Sequence, residues 1–296
     1  MKKASDILSP KLITRLGNLQ LKARMVAEGA MTGLHRSPHH GSSIEFAEHR
    51  EYTPGDEIRH IDWKAYARLD RYYIKKFEDE TNLRAWLLID SSGSMAYASG
   101  EESKLEYASV LAAACAYLLI RQQDAAGLLD YSAKTGTVIP PRSTWQHYRE
   151  ILESLVRLEA EGETDAVSAL EWLATNMRGR HMLIMISDML DVRPEVLGLL
   201  KSIRSHRNDV ALLHVLDPHE IEFPFDRLTE FVDMEGEALV FADPDGIRQE
   251  YLKVFDEYCK GLENECLNNG IIYRRISTAT PQDEALLSFL HAREHK

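Results

Sequence analysis

Residues 85–94 read AWLLIDSSGS, an apolar run followed by an aspartate, serines and a glycine. The apolar run at residues 85–89 is typical of a strand buried in a parallel sheet, and it stops at Asp90. A second apolar run, MLIMI at residues 182–186, stops in the same way at Ser187-Asp188. Two buried strands that both end in aspartate predict one sheet whose carboxyl edge carries acidic side chains.

Strands and helices alternate on both sides of these two runs. Ser103 and Glu106 form a capping box that predicts the start of a helix with apolar residues on most sides. Further strands are predicted at residues 125–131, 134–139, 210–216 and 271–276, and further helices at residues 145–158, after Thr164 as N-cap, from Pro194, up to Cys266 and from Thr280. Repeated strand-helix units predict an α/β protein with a doubly wound, mostly parallel sheet. Residues 220–245 are typical of a hairpin insertion.

An extension, residues 1–83, precedes the α/β domain predicted at residues 84–296. Its first part, residues 9–31, has an apolar stripe at helical spacing with basic residues between the apolar ones. The stripe consists of Leu12, Leu16, Leu19 and Val26. Because such stripes usually pack on a protein core, we expect this helix to dock on its own domain. Peripheral contact with an anionic membrane, or with a groove of a partner, is the alternative.

The acidic charge of the chain is concentrated in the α/β domain. The 296 residues carry a net charge of −12, although residues 1–83 contain 14 basic and 12 acidic residues. The rest therefore carries a net charge of −14, which repels a phosphate backbone. Aromatic and basic residues interleave at residues 63–77, as in single-strand binding surfaces, but neighbouring acids cancel their field. We expect no nucleic-acid partner.

The sequence shows no segment typical of membrane insertion or secretion. The longest apolar run covers residues 110–120, well short of the roughly 20 residues that cross a bilayer. Residues 1–10 lack the apolar core of a signal peptide, so we expect a cytoplasmic protein.

Cysteine and histidine give little support to a zinc site. The three cysteines, at positions 115, 259 and 266, have no CxxC spacing, which argues against a disulfide framework or a thiolate zinc site. A zinc site at His35, His39 and His40 is an alternative, although no Cys or carboxylate stands at ligand spacing beside them.

Oxygen-bearing side chains are predicted to meet at the carboxyl edge of the sheet, where open α/β sheets bind ligands. They are Asp90, Ser92 and Ser94 after the first apolar strand, Thr164 in the loop GETD at residues 162–165, and Asp188 after the second apolar strand. Oxygen donors without histidine or thiolate favour a hard divalent ion, Mg²⁺ first and Mn²⁺ or Ca²⁺ next. The alternative is a strand-end aspartate that only caps the following helix.

The charge balance of this predicted site indicates how an ion would be used. Two carboxylates and three neutral hydroxyl groups only just neutralise a divalent ion, and less so if the carboxylates act through water. Such an ion still attracts a further carboxylate. We therefore expect an ion completed by an Asp or Glu of a partner, rather than one that activates water for hydrolysis.

The motif Asp90-x-Ser92-x-Ser94, followed by Thr164 and Asp188, resembles the metal-ion-dependent adhesion site of von Willebrand factor A domains. The resemblance implies direct metal contact by Ser92, Ser94 and Thr164. It also implies that Asp90 and Asp188 act directly or through water.

The upstream segment resembles the bacterial family called domain of unknown function 58. The resemblance rests on EFAEHREY at residues 45–52, Gly55-Asp56, Arg59, Ile61-Asp62-Trp63 and Ala67-Arg68. It implies a von Willebrand A-like fold, MoxR-type AAA+ ATPases as genetic neighbours, and no settled biochemical activity. Many relatives carry membrane helices, and this chain departs from them because its sequence shows none.

The same segment is unusually dense in charge. Its charged residues include Glu45, Glu48, Arg50, Asp56, Arg59, Asp62 and Arg68. So many charges must be paired, exposed or used on a partner, because burying them singly is costly. An internal ion-pair network and a partner interface both remain open.

We expect a non-enzymatic, metal-dependent interaction module, an adaptor or partner of a MoxR-type ATPase or its substrate. The alternative is a Mg²⁺-dependent phosphohydrolase that uses strand-end aspartates, as haloacid-dehalogenase-like enzymes do. Those enzymes resemble Asp-x-Asp, whereas position 92 is Ser. A serine hydrolase is disfavoured because neither Ser92 nor Ser94 lies in G-x-S-x-G. A membrane-surface scaffold is a third class.

Overall fold

The computed structural model describes residues 10–36, 49–51, 73–75, 83–133, 135–190, 193–235 and 239–294. The helices are α1 (Pro10–Arg36), α2 (Lys104–Arg121), α3 (Trp145–Leu155), α4 (Ala166–Asn176), α5 (Pro194–Ser205), α6 (Pro218–Glu222), α7 (Pro244–Asn268) and α8 (Gln282–Glu294). The strands are β1 (His49–Glu51), β2 (Tyr73–Lys75), β3 (Arg84–Asp90), β4 (Ala125–Tyr131), β5 (Thr135–Arg142), β6 (Met182–Ser187), β7 (Asp209–Leu216), β8 (Thr229–Val232), β9 (Leu239–Ala242) and β10 (Ile272–Ser277).

A six-stranded sheet in the order β10-β7-β6-β3-β4-β5 forms the centre of the fold. The strands from β10 to β4 run parallel, and the edge strand β5 is antiparallel to β4. The chain moves from β3 to β4 on one side and returns to β6 on the other side of β3, so the strand order reverses between β3 and β6. The predicted doubly wound, mostly parallel sheet is confirmed, and its switch point lies where ligands bind in such sheets.

The alternation of side chains along β3 builds a core on each face of the sheet. Ala85, Leu87 and Ile89 belong to the core that includes α1, α2, α3 and α8. Trp86 and Leu88 belong to the core that includes α4, α5 and α7. Because both faces are covered, β3 is apolar at every position from 85 to 89, as a strand with one solvated face would not be.

The apolar stripe of α1 packs on this chain's own α/β body, as predicted. Leu16, Leu19 and Val26 are buried in the same core as α2 and α8. Gly33 lies so close to α8 that a Cβ there would stand 2.6 Å from Cδ2 of Leu287. The stripe is therefore covered by the protein itself, and all but the last two residues of α1 belong to the same compact unit as residues 83–294.

A second compact unit covers residues 35–82, and its described part consists of the last two residues of α1 and the antiparallel pair β1–β2. The charged residues Glu45, Glu48, Asp56, Arg59, Asp62 and Arg68 lie outside the described residues, as do His39 and His40. Arg50 lies in β1, where it pairs with Ile74 in backbone register. The ion-pair network, the interface and the histidine zinc site therefore all stay predictions.

Most predicted elements are present, with boundaries that differ from the predicted ones by up to five residues. Asp165, and not Thr164, caps α4, and its side chain accepts a hydrogen bond from the backbone of Ser168. The helix at 145–158 ends at Leu155, and the strand at 134–139 runs to Arg142. The hairpin predicted within residues 220–245 is confirmed, since β8 and β9 pair antiparallel in a sheet of their own. No helix in the described ranges combines the length and apolarity that crossing a bilayer requires.

Candidate metal centre

Asp90 ends β3 with its carboxylate buried and surrounded by neutral donors. Its Oδ1 accepts from the backbone N–H of Ser92 at 3.0 Å. Its Oδ2 accepts from the hydroxyl of Ser187 at 2.7 Å and from that of Tyr131 at 3.0 Å. Burial, with the nearby charge of Asp188, raises the pKa of Asp90 because no cationic side chain is among these partners. The site thus contains a negative charge that is held by neutral hydrogen bonds only.

The loop after Asp90 turns two buried hydroxyl groups toward each other. Oγ of Ser92 and Oγ of Ser94 lie 3.1 Å apart, at the start of a 3₁₀ turn over Gly93–Ala96. The position between them must be glycine, because a Cβ on Gly93 would stand 2.1 Å from the carbonyl oxygen of Met234. The predicted alternation of Asp90, Ser92 and Ser94 toward one side is therefore built by a tight turn with another loop against its back.

Backbone hydrogen bonds join the loop of Thr164 to the loop of the two serines. Gly93 N donates to the carbonyl of Gly162 at 2.8 Å, and Glu161 N donates to that of Ser91 at 3.0 Å. The hydroxyl oxygen of Thr164 is buried and has no hydrogen-bond partner among the described residues. Since buried hydroxyl groups are nearly always paired, this oxygen is available to accept or donate a bond to a ligand.

Asp188 follows β6, and its charge is balanced inside the protein. Nζ of Lys104 lies 2.6 Å from Oδ2 of Asp188 and 2.6 Å from Oε1 of Glu220. The Lys104 side chain is 0% exposed. Burial alone lowers the pKa of a lysine, but the two adjacent carboxylates outweigh it and the pKa of Lys104 is raised. Lys104 is therefore a permanent ammonium ion paired with two acids.

His214 on β7 fixes the turn that presents Asp188. Its Nε2 lies 2.8 Å from the carbonyl oxygen of Asp188, and its Nδ1 lies 2.8 Å from the hydroxyl of Tyr273. Burial lowers the pKa of His214 to about 4, so the ring is neutral at pH 7. A carbonyl only accepts, so Nε2 carries the proton and Nδ1 accepts from Tyr273.

A third carboxylate reaches the site from the loop after β8. Oε2 of Glu235 accepts from the backbone N–H of Thr164 at 3.1 Å. Oε1 of Glu235 is buried and, like the Thr164 hydroxyl, has no hydrogen-bond partner among the described residues. Two oxygens without partners on adjacent residues form a place that a cation would satisfy.

These side chains fit a hard divalent cation. Ser92, Ser94 and Thr164 offer hydroxyl oxygens, and Asp90 offers a carboxylate without a cationic partner. Asp188 lies close enough to raise the pKa of Asp90, but Lys104 and the backbone N–H of Leu190 already bond its two oxygens. The described residues contain no cluster of three His, Cys, Asp or Glu side chains suited to a metal, so a site here depends on hydroxyl ligands.

A family model described as protein of unknown function DUF58 matches residues 48–257. The chain belongs to the DUF58 family. This confirms the family resemblance seen in residues 45–68 and covers both the upstream segment and the strands that carry Asp90 and Asp188.

Uncharacterized bacterial proteins and several solved structures are similar to the chain. The uncharacterized protein Rv1480 of Mycobacterium tuberculosis is 30% identical over 226 residues, which are 74% of this chain and 69% of the relative. BatB from Bacteroides thetaiotaomicron is 20% identical with a TM-score of 0.48, covering 72% of this chain and 100% of the other. A von Willebrand factor type A domain from Catenulispora acidiphila is 15% identical with a TM-score of 0.34, covering 59% and 42%.

Several residues of this site were missed by sequence reasoning, among them Lys104, Tyr131 and Glu235. Lys104 stands at the first position of a buried helix, where the helix dipole disfavours a cation. A lysine at this unfavourable position indicates that acidic side chains pair with it. Tyr131 ends β4 beside Asp90 and could have been found from the parallel pairing of β3 with β4. Glu235 lies in the turn of the inserted hairpin, and no local pattern connects it with Thr164.

Proposed function

We propose that this chain is a metal-dependent protein-interaction module whose Mg²⁺ or Mn²⁺ ion accepts a carboxylate from a protein partner. Ser92, Ser94 and Thr164 would hold the ion directly, and Asp90 and Asp188 would hold it directly or through water. The bound ion would supply positive charge for a carboxylate ligand. The observation that supports this best is the buried Thr164 hydroxyl without a partner, in a loop bonded to that of the serines.

The arrangement of charges supports a non-catalytic role. Oδ2 of Asp90 already accepts two hydrogen bonds, so a nucleophilic attack by this oxygen would have to break one of them. Lys104 is occupied by Asp188 and Glu220 and has no free lone pair for a general base. The proposal therefore places binding, and not hydrolysis, at this edge of the sheet.

The family resemblance supplies the candidate partner, a MoxR-type AAA+ ATPase or its substrate. An acidic residue of that partner would complete the ion, so complex formation would depend on divalent metal. We also propose that the complex forms in the cytoplasm.

Titration calorimetry with Mn²⁺ and co-purification with the candidate ATPase test the proposal. Ser94→Ala should lose metal binding and metal-dependent co-purification while melting at the wild-type temperature. Ser99→Ala is the matched control, because Ser99 is an exposed serine in the same loop region. EDTA should reproduce the Ser94→Ala result with wild-type protein. A Ser94→Ala protein that binds metal and partner like wild type would refute the proposal.

A further inference from the structure

The loop after β8 covers the candidate metal centre from within the same chain. The carbonyl oxygen of Met234 packs against Gly93, and the carboxylate of Glu235 bonds the backbone N–H of Thr164. Gly93 lies between the two serine ligands, and Thr164 is itself a proposed ligand. Residues 234 and 235 thus contact both loops that carry the proposed hydroxyl ligands.

The Glu235 side chain is held in a way that leaves one oxygen free for a cation. Oε2 is satisfied by Thr164 N, while Oε1 is buried without a hydrogen-bond partner among the described residues. The hydroxyl of Thr164 is orphaned in the same way. A carboxylate oxygen buried without a donor is unfavourable, and a cation shared with the Thr164 hydroxyl removes the penalty for both.

The hairpin that carries Glu235 is anchored away from the site. Phe231 of β8 stacks on Phe223 with ring centroids 5.7 Å apart and meets Phe225 edge-on at 5.3 Å. Strands β8 and β9 form their own two-stranded sheet and add no strand to the central one. Glu235 can therefore leave the site without loss of the aromatic anchor or of a pairing in the central sheet.

We propose that Glu235 is an intrachain ligand that shares the metal ion with the Thr164 hydroxyl and competes for it with a partner's carboxylate. This inference rests on the proposed metal-dependent function and adds its regulation. In the resting chain Glu235 completes the ion, so weak or non-specific acids do not bind. A partner's acidic residue must displace Glu235, and a protein surface that also engages the hairpin does so better than a free carboxylate.

Mn²⁺ binding with water-proton relaxation measures the proposed displacement directly. Glu235→Gln keeps an oxygen for the Thr164 N–H but removes the charged ligand, so Mn²⁺ should bind about tenfold more weakly. The position that opens takes up water, so the relaxivity of the Mn²⁺ complex should rise. Sodium acetate should lower that relaxivity again in Glu235→Gln, and should leave the wild-type value unchanged at the same concentration.

Glu230→Gln is the matched control, because Glu230 is an exposed glutamate on β8 of the same hairpin. Glu230→Gln removes the same charge as Glu235→Gln. Because salt screens the charge of an exposed side chain, Mn²⁺ affinity should change by no more than about twofold in this control. Equal affinity, relaxivity and acetate response in wild type and Glu235→Gln would overturn the role of Glu235 and leave the metal site standing. No saturable Mn²⁺ binding by the wild type would overturn both the site and the ligand.

Discussion

Asp90 and Asp188 follow neighbouring parallel strands, yet their charges are balanced in opposite ways. Asp90 accepts hydrogen bonds from a serine, a tyrosine and a backbone N–H, all of which are neutral. Asp188 is paired with the buried ammonium group of Lys104. The same residue type in the same topological position therefore has only neutral partners at one strand and an internal cation at the next.

This difference divides the site into a half proposed to bind a ligand and a half that stabilises the fold. In the half around Asp90, Ser92 and Thr164, the polar side-chain atoms have neutral hydrogen-bond partners or, at Thr164, none among the described residues. Within the part of the chain that the structure describes, none of them is paired with a cation. The half around Asp188 has its own cation and holds α2, β6 and α6 together. Substitutions in the two halves should therefore differ in whether they affect folding or binding.

The largest expected effect comes from removal of the internal cation. Lys104→Met leaves the carboxylates of Asp188 and Glu220 buried without an ammonium partner, which should lower the free energy of unfolding by about 3–5 kcal/mol. Urea denaturation measures it. Lys201→Met breaks the partly exposed ion pair with Glu265 and should cost roughly 1 kcal/mol or less. An equal decrease in the free energy of unfolding of the two variants would show that the buried ion pairs of Lys104 stabilise the protein no more than the partly exposed pair.

The second effect compares the two aspartates directly in metal-free buffer. Asp188→Asn leaves Lys104 with one carboxylate and should destabilise the protein by about 1–3 kcal/mol. Asp90→Asn removes a buried charge without a cationic partner and keeps an acceptor oxygen, so stability should change by about 1 kcal/mol or less, or rise. Urea midpoints in EDTA measure both. A larger loss in Asp90→Asn than in Asp188→Asn would reverse the comparison.

The smallest effect concerns the neutral hydrogen bonds that hold Asp90. Tyr131→Phe removes one donor to its carboxylate and should cost about 1 kcal/mol. Tyr148→Phe is a matched control, because its buried hydroxyl has no hydrogen-bond partner among the described residues. Thermal melts of both variants measure the effect, and Tyr148→Phe should leave the melting temperature unchanged or raise it slightly. If Tyr148→Phe is the more damaging of the two, the hydrogen bond from Tyr131 does not hold Asp90.

The elements that build the edge of the sheet could be predicted from local pattern. The apolar runs before Asp90 and Asp188 are buried strands because both faces of the sheet are covered. The predicted capping box of Ser103 and Glu106 is present. It could be predicted because both of its hydrogen bonds join residues only three positions apart in sequence. Local chemistry decided these features, so a single sequence was sufficient.

The prediction that Thr164 caps α4 is wrong for a physical reason. Aspartate is a better N-cap than threonine, and Asp165 is one position closer to the helix. Because Asp165 takes the capping role, the hydroxyl of Thr164 is left without a backbone partner. Thr164 therefore does not spend its hydroxyl group on capping the helix, and this group is available to the proposed ion.

The partners that sequence reasoning missed are distant along the chain. Lys104 bonds residues 84 and 116 positions away, and Glu235 bonds a residue 71 positions away. Nothing in a local window relates such residues to one another. Their meeting depends on the strand order of the sheet, which places the ends of β3 and β6 side by side.

The distance between Lys104 and its two acids also sets the order in which the chain can assemble. During synthesis Lys104 leaves the ribosome well before Asp188, and Glu220 follows later still. Until both carboxylates have emerged, the amino end of α2 cannot be buried with its charge balanced. The pairing that neutralises this edge of the sheet therefore requires at least the first 220 residues of the chain.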